Sequence, residues 1–302
     1  MRSVRAHVYT CTHVSACKDT IFFSNKPNFF AKNVKKVHFS TKNVNYLQKK
    51  QYLCSVKAQI MAIVNVTPDS FYSASRLLKT TSGEVDVRPV VEWARQALSE
   101  GADILDIGAC STRPNSTPVE QEEEWRRLEP ALGVLRQTFP DVRLSLDTFR
   151  PEIAHRALTQ FGQMIINDVS GGCEEMIEVV RQANAPYVWT LRGDYQLPAV
   201  RQNMQDLDLI LDPGFGFIGS TERDYEAMRR LDDLRPFNRP ILVGVSRKSM
   251  VYKPLGLTPE TCLTATQALQ MYALEHGATI VRTHDVSATA QTIALWEQLK
   301  IK

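Results

Sequence analysis

Seven short polar phrases, each placed where an apolar, β-branched run of residues stops, constrain the fold of this chain more than any other feature. They are spread over more than two hundred positions, at 65–70, 111–114, 147–148, 167–172, 212–214, 246–249 and 282–285. The strands of a (β/α)8 barrel all point the same way, so their carboxyl ends meet at one face. Such a barrel would gather all seven phrases in one pocket.

Eight apolar runs and seven stretches of helical spacing alternate along the chain from residue 58 onward. The apolar runs are typical of parallel strands buried on both faces, and they lie at 60–66, 103–109, 143–147, 164–167, 187–191, 209–212, 241–245 and 279–283. The helical stretches carry charged faces and lie at 88–100, 119–137, 152–161, 174–183, 221–234, 259–276 and 288–299. A strand followed by a helix, repeated in this way, predicts an α/β fold.

A (β/α)8 barrel, the TIM barrel fold, explains the polar phrases better than an open doubly wound sheet does. An open sheet would place its polar residues at a few strands near one switch point, whereas here nearly every predicted strand ends in one. After the fifth predicted strand, residues 194–206 leave room only for a shortened or missing helix. We therefore predict a barrel over residues 58–302 with one reduced helix.

The first 57 residues differ in charge from the rest of the chain. They hold 11 Lys and Arg against one acidic residue, a charge of +10, whereas the remainder holds 25 against 32, a charge of −7. We predict that this basic leader is disordered. A transit peptide, translation from a misplaced start codon and a basic interaction arm all remain open as its origin. Its His7, Cys11, His13 and Cys17 lack the paired spacing of a zinc finger, so we predict no metal there.

The composition limits the class of protein. With 43% hydrophobic and 23% charged residues, the chain is typical of a soluble globular protein. No apolar stretch approaches the roughly 20 residues that span a bilayer, which argues against a membrane-embedded protein. Six scattered Cys residues without framework spacing indicate free thiols in a reducing compartment. We predict a cytoplasmic protein, or an organellar one if the leader is a transit peptide.

Asp147, Asn167 and Asp212 each end a predicted strand, where their side chains would be largely removed from water. A buried carboxylate is tolerated only with hydrogen-bond donors or cations around it. Two carboxylates and a carboxamide at one barrel mouth suit a flat heterocycle with amino and ring N–H groups, such as a pterin or a purine. A single Asp in such a place is more often a helix cap, so the prediction rests on all three together.

A second group of strand-end residues is cationic and hydroxylic, which suits phosphate or diphosphate oxygens. Its members are Arg113, Lys248, Arg282 and His284, with Ser111, Thr112, Ser246 and Ser249. Asn65 offers a carbonyl oxygen beside this group, and Mg²⁺ takes few protein ligands while it bridges substrate phosphates. We therefore consider Asn65 a candidate Mg²⁺ ligand, although a lone Asn is usually a turn residue.

These phrases resemble the motifs of the dihydropteroate synthase family. Two segments, 60–71 and 101–114, match that family's two signatures. Its later motifs follow in the correct order at 146–148, 166–172, 210–216, 242–249 and 282–285. The resemblance covers residues 58–302 and implies a pterin-binding (β/α)8 enzyme of folate biosynthesis.

The resemblance implies a transferase that joins 4-aminobenzoate to (7,8-dihydropterin-6-yl)methyl diphosphate, giving 7,8-dihydropteroate and diphosphate. If the family's roles apply at the matching positions, the pterin is held by Asp147, Asn167, Asp212 and Lys248. The resemblance likewise implies that the diphosphate is held by Thr112, Arg113, Arg282 and His284, with Mg²⁺ at Asn65. The implied catalytic residues are Arg113, Lys248, Arg282 and His284. The implied aminobenzoate site, where sulfonamides would compete, consists of Thr67, Pro68, Phe71, Thr112, Arg113, Lys248 and Ser249. The family also implies a homodimer, without a specific nucleic-acid or membrane partner.

The chain departs from the family pattern at two positions near the predicted site. Residues 189–193 read Trp-Thr-Leu-Arg-Gly, so Thr190 stands where the family usually has His, and Cys110 replaces a frequent Glu. Two other functions remain open: a methyltetrahydrofolate-dependent methyltransferase built on a similar barrel, and a catalytically impaired pterin-binding protein. The phosphate-binding phrases argue against the methyltransferase, which needs no diphosphate site.

Overall fold

The computed structural model describes residues 57–67, 79–81, 84–110, 119–196 and 202–300. All of them belong to one unit that spans Ser55–Lys302. The predicted basic leader lies outside the described residues except for Lys57, so its disorder and its origin stay predictions. Within the described ranges, no helix is both long and apolar enough to cross a membrane.

Eight parallel strands form one sheet, and a short antiparallel hairpin stands apart from it. The strands are β1 (Gln59–Asn65), the hairpin strands β2 (Lys79–Thr81) and β3 (Glu84–Asp86), β4 (Ile104–Gly108), β5 (Arg143–Asp147), β6 (Ile165–Asp168), β7 (Tyr187–Thr190), β8 (Leu209–Asp212), β9 (Leu242–Val243) and β10 (Ile280–Thr283). Their order in the sheet is β8-β7-β6-β5-β4-β1-β10-β9. A parallel bridge between Leu211 and Ile241 joins the two edges, so the sheet closes and the predicted barrel is confirmed.

Helices connect the strands on the outside of the barrel. They are α1 (Arg88–Ser99), α2 (Gln121–Thr138), α3 (Pro151–Phe161), α4 (Glu174–Ala183), α5 (Thr221–Arg229), α6 (Ser249–Tyr252), α7 (Leu263–Glu275) and α8 (Val286–Lys300). The predicted helix at 221–234 is split, because α5 ends at Arg229 and a 3-10 helix follows at Leu231–Phe237, with Pro236 inside it. The hairpin and the four-residue α6 are absent from the sequence prediction, since neither is long enough to show a period.

The connection from β7 to β8 is the reduced one that the sequence predicts. Its described parts, 191–196 and 202–208, contain a single 3-10 turn at Gln202–Met204. Met204 is fully buried, and so is nearly all of Tyr195, whose hydroxyl donates to the carbonyl of Ala227 at 2.9 Å. These two side chains therefore pack into the region that a full helix would occupy in a regular barrel.

The barrel interior is layered, because alternate residues of each strand point inward. Seven strands each contribute one buried apolar residue to the lower layer: Met61, Ile104, Ile165, Val188, Ile210, Leu242 and Ile280. Two residues further along, the same inward face carries Ile63, Asp106, Asn167, Thr190, Asp212, Gly244 and Arg282. The apolar layer closes the bottom of the barrel, and the polar layer above it forms the floor of a pocket at the carboxyl ends of the strands.

Candidate active site

Asp106, in the middle of β4, is the central group of the pocket floor and is fully buried. Its Oδ1 accepts a hydrogen bond from the Ser145 hydroxyl at 2.6 Å. Its Oδ2 accepts two more, from Asn167 Nδ2 at 3.0 Å and from Arg282 Nε at 2.6 Å. Three different strands, β5, β6 and β10, therefore converge on one carboxylate.

Arg282 links Asp106 to a second carboxylate. Its Nη2 donates to Asp147 Oδ2 at 2.6 Å, so both ion pairs share one guanidinium. Burial by itself would lower the pKa of Arg282, but the carboxylates of Asp106 and Asp147 outweigh burial and raise it. The guanidinium is therefore a permanent positive charge in the floor of the pocket.

Asp147, at the end of β5, presents a hydrogen-bond acceptor that the protein leaves unused. Its Oδ1 is buried and accepts no hydrogen bond from any residue that the structure describes. Burial raises the pKa of Asp147 to about 7, in spite of Arg282 and with some help from the charge of Asp106. A side chain at position 108 would crowd this carboxylate, since a Cβ added to Gly108 would lie 3.2 Å from the Cβ of Asp147. The arrangement favours a ligand that brings N–H donors.

Asp212 and Lys248 form a second polar pair, contributed by β8 and by the loop after β9. Asp212 Oδ1 accepts a hydrogen bond from the backbone N–H of Gly214 at 2.8 Å, and burial raises the pKa of Asp212 against the effect of Lys248. The Lys248 amine donates to the carbonyl of Phe215 and lies 5.1 Å from the ring centroid of Phe217. Burial lowers the pKa of Lys248 to about 8, although Asp212 favours its protonated form.

Gly216 makes room for this lysine. It adopts a left-handed backbone conformation with φ of 84°, which favours glycine. A Cβ at this position would lie 3.2 Å from Lys248 Cδ, so a larger residue would push the amine out of its place. The Asp-Pro-Gly-Phe-Gly phrase at 212–216 therefore serves both the carboxylate and the amine.

Arg247 and Asp285 fasten the loop after β9 to the end of β10. Arg247 Nη2 donates to Asp285 Oδ1 at 2.6 Å and its Nε to Asp285 Oδ2 at 2.9 Å, a bidentate pair. Beside it, the Ser246 hydroxyl accepts a hydrogen bond from the backbone N–H of His284 at 3.2 Å. The ion pair thus holds Ser246 and Lys248 close to His284 at the pocket mouth.

The structure brings together most of the residues that the sequence predicts for the site. Those at the carboxyl ends of the barrel strands or directly after them are Asn65, Thr67, Asp147, Asn167, Asp212, Ser246, Lys248, Ser249, Arg282 and His284. The other five, Pro68, Phe71, Ser111, Thr112 and Arg113, lie outside the described residues, so their assignment stays a prediction. The sequence interpretation places Arg282 with the phosphate group, and the structure adds that two of its N–H donors bind carboxylates.

Asp106 and the Arg247–Asp285 pair are absent from the sequence prediction. The signal for Asp106 is a charged residue in the interior of an apolar strand, Ile-Leu-Asp-Ile-Gly, all of which is buried. Thr190, which stands where the family usually has His, donates to the backbone carbonyl of Asp168 at 2.9 Å. Its side chain therefore bridges two neighbouring strands.

Comparisons with known proteins agree with this site. The family model described as "Pterin binding enzyme" matches residues 61–195 and 194–284. The dihydropteroate synthase of Synechocystis sp. is 34% identical over 275 residues, which cover 80% of this chain and 91% of the relative. The solved dihydropteroate synthase of Xanthomonas albilineans with 4-aminobenzoic acid is 32% identical with a TM-score of 0.72, covering 82% of this chain and 94% of that one.

A second solved structure extends the comparison to the product. The Burkholderia cenocepacia dihydropteroate synthase complexed with 7,8-dihydropteroate is 30% identical with a TM-score of 0.68. The match covers 80% of this chain and 91% of that one. The residues that the family model matches include the described pocket residues from Asn65 to His284. The chain belongs to the dihydropteroate synthase family of pterin-binding enzymes.

Proposed function

We propose that this chain condenses (7,8-dihydropterin-6-yl)methyl diphosphate with 4-aminobenzoate, as a transferase of folate biosynthesis. The observation that carries the proposal is the unused, buried Oδ1 of Asp147 beside the guanidinium of Arg282. An acceptor in the floor and cations above it match a substrate that has N–H donors at one end and a diphosphate at the other. Membership of the dihydropteroate synthase family supports the same reaction.

The pterin ring occupies the floor of the pocket in this proposal. A dihydropterin carries amino and ring N–H donors together with a carbonyl oxygen and an imine nitrogen as acceptors. Asp147, Asp212 and the amide oxygen of Asn167 suit the donors, and the Lys248 amine suits an acceptor. A pocket with fewer acceptors would leave donors of the ring without partners, at a cost of about 1–3 kcal/mol for each buried group.

The reaction breaks the bond between the pterin methylene carbon and the diphosphate oxygen and forms a bond from that carbon to the arylamine nitrogen. The diphosphate keeps the electron pair of the broken bond, and the amine loses one proton. The proposal requires positive charge at the leaving oxygens, which Arg282, Lys248 and Arg113 supply, with His284 as a further ligand of the diphosphate. No strong base is needed, because the remaining task is to hold the amine in line with the carbon.

A Mg²⁺ ion at Asn65 fits this pocket. The described residues contain no group of three or more His, Cys, Asp or Glu that could hold a metal ion. Asn65 ends β1, next to Gly108 of β4, and its side chain contains one amide oxygen. Mg²⁺ bound through so few protein atoms would take its other ligands from water and the diphosphate, whose charge it would neutralise. The Mg²⁺ concentration that gives half-maximal activity in Asn65→Ala, compared with wild type, tests this assignment.

The aminobenzoate site is proposed at the pocket mouth, where sulfonamides would compete. Of its residues, Thr67 is buried after β1, and Ser249 begins α6 directly after Lys248. Pro68, Phe71, Thr112 and Arg113 complete the proposed site on two loops.

A homodimer through the last two helices is also proposed. Leu295 and Leu299 of α8 are 63% and 76% exposed, and Tyr272 of α7 is 37% exposed. Large apolar side chains exposed on neighbouring helices are typical of a protein contact surface. Sedimentation velocity of the full chain tests this state, and a monomer at micromolar concentration would contradict it.

The reaction is tested with the purified full chain, Mg²⁺ and both substrates. We expect diphosphate release that requires 4-aminobenzoate and the pterin diphosphate together, with dihydropteroate formed in equal amount. Pterin binding without release would instead support an impaired pterin-binding protein. Methyl transfer from methyltetrahydrofolate without any diphosphate release would support the methyltransferase.

Asp212→Ala is expected to weaken binding of a pterin analogue about 100-fold, close to 3 kcal/mol, because it removes a charged acceptor from the floor. Isothermal titration calorimetry measures the change, and circular dichroism checks the fold. Asp206→Ala is the matched control, because Asp206 is exposed and paired only with Arg181 among the described residues. Equal affinity of wild type and Asp212→Ala would contradict the assignment.

The pKa of Lys248, about 8, predicts an alkaline limit to activity. The amine is charged below that pH and neutral above it, so kcat/KM for the pterin diphosphate should fall as the pH rises through 8. Lys248→Arg should remove this limb, since a guanidinium stays protonated over the whole range. Lys253→Arg, on the exposed turn nearby, should keep it. An alkaline limb of the same midpoint in Lys248→Arg would show that the substrate titrates instead.

A further inference from the structure

We infer that Asp106 is a positioning residue: it fixes which atom of Asn167 and which N–H groups of Arg282 face the pterin. The inference rests on the proposed function and deepens it. Asp106 is 0% exposed and its two oxygens accept three hydrogen bonds from the protein. It therefore acts on a ligand only through the residues that it holds.

The first effect concerns the amide of Asn167. A carboxylate has only acceptors, so the Asn167 atom that lies 3.0 Å from Asp106 Oδ2 must be the donor Nδ2. The amide oxygen of Asn167 consequently points to the other side of the amide group, as a third acceptor beside Asp147 and Asp212. Without a charged acceptor at 106, both orientations of the amide would be open, and one of them would turn a donor towards the N–H groups of the ring.

The second effect concerns the guanidinium of Arg282. Its Nε binds Asp106 and its Nη2 binds Asp147, so the two carboxylates hold one edge of the planar group. Among the described residues, Nη1 has no hydrogen-bond partner. The two N–H groups of Nη1 and the second N–H of Nη2 are thus the donors left for a substrate, and Asp106 determines the plane in which they lie.

The third effect is electrostatic. The negative charge of Asp106 acts together with burial to raise the pKa of Asp147. Replacing Asp106 by Asn removes this repulsion while it keeps the size of the side chain. Asp147 should then ionise at a lower pH, so the acid limb of pterin binding should move to lower pH. A residue with a purely structural role would leave that limb where it is.

The experiment compares Asp106→Asn with Asp168→Asn in the full chain. Asp168 is the matched control because it is also fully buried and also accepts three hydrogen bonds, two from Ser170 and one from the hydroxyl of Tyr187. Pterin-analogue affinity is measured by calorimetry between pH 5 and 9, and kinetic constants are measured for both substrates. We expect Asp106→Asn to weaken pterin binding 10- to 100-fold and to shift the acid limb of the affinity profile to lower pH. The KM for 4-aminobenzoate should stay within about threefold of the wild-type value. Asp168→Asn should change neither the affinity nor the limb.

The double variant Asp106→Asn/Asn167→Asp exchanges the amide and the carboxylate and keeps the number of charges. Both oxygens of a carboxylate at 167 are acceptors, so the double variant should recover at least tenfold of the pterin affinity that Asp106→Asn loses. If Asp106→Asn does not fold, the double variant decides alone. Affinity within tenfold of wild type then supports the inference, and a loss above 100-fold overturns it.

The outcomes separate this inference from the proposed function. A wild-type chain that binds no pterin overturns both. A wild type that binds and turns over, together with an Asp106→Asn variant of equal affinity and equal acid limb, overturns the inference alone. Equal losses in Asp106→Asn and Asp168→Asn would also overturn it, because they would show a general effect of burial.

Discussion

The guanidinium of Arg282, held between the carboxylates of Asp106 and Asp147, is the interaction on which the rest of the site depends. It joins β4, β5 and β10, the second, third and last strands of the barrel, and its partners lie 176 and 135 positions away in the sequence. Two buried carboxylates with one cation are tolerable only with further donors, which Ser145 and Asn167 supply. Removing one partner from such a buried pair typically costs about 3–5 kcal/mol, so each member of the floor depends on the others.

The closed barrel makes this convergence possible. Side chains two residues apart point the same way, so an apolar layer lies below and a polar layer directly above it on the same strands. A small residue leaves the space that a long side chain needs: a Cβ on Gly216 would lie 3.2 Å from Lys248 Cδ. The phrase at 212–216 therefore has two roles, because it forms a turn of the chain and makes room for the lysine.

Much of the fold follows from the sequence, because the spacing of apolar residues and the residues that end each helix or strand are local properties of the chain. The predicted bounds of the strands at 143–147 and 209–212 and of the helix at 174–183 agree with the structure to the residue. Because parallel strands end at the same face of a barrel, the sequence also places Asp147, Asp212 and Arg282 at one pocket. It does not reveal that Arg282 binds Asp106, because that contact depends on the pairing of β10 and β4 with the two sides of β1. Elements of two to four residues, such as the hairpin and α6, are too short for any periodic signal.

Burial also explains how the site can be specific for one class of ring. The Oδ1 of Asp147 is buried and receives no donor from the described residues, so its carboxyl group is partly protonated near neutral pH, in accord with a pKa of about 7. A ligand whose N–H groups bind that oxygen stabilises the ionised form, and a proton leaves as it enters. A ligand with acceptors at the same positions finds a donor there only while the Asp147 carboxyl keeps its proton, because the donor of the neighbouring Asn167 amide is already engaged. The pocket therefore selects ligands that bring N–H donors, because the protein buries an acceptor and gives it no partner among the described residues.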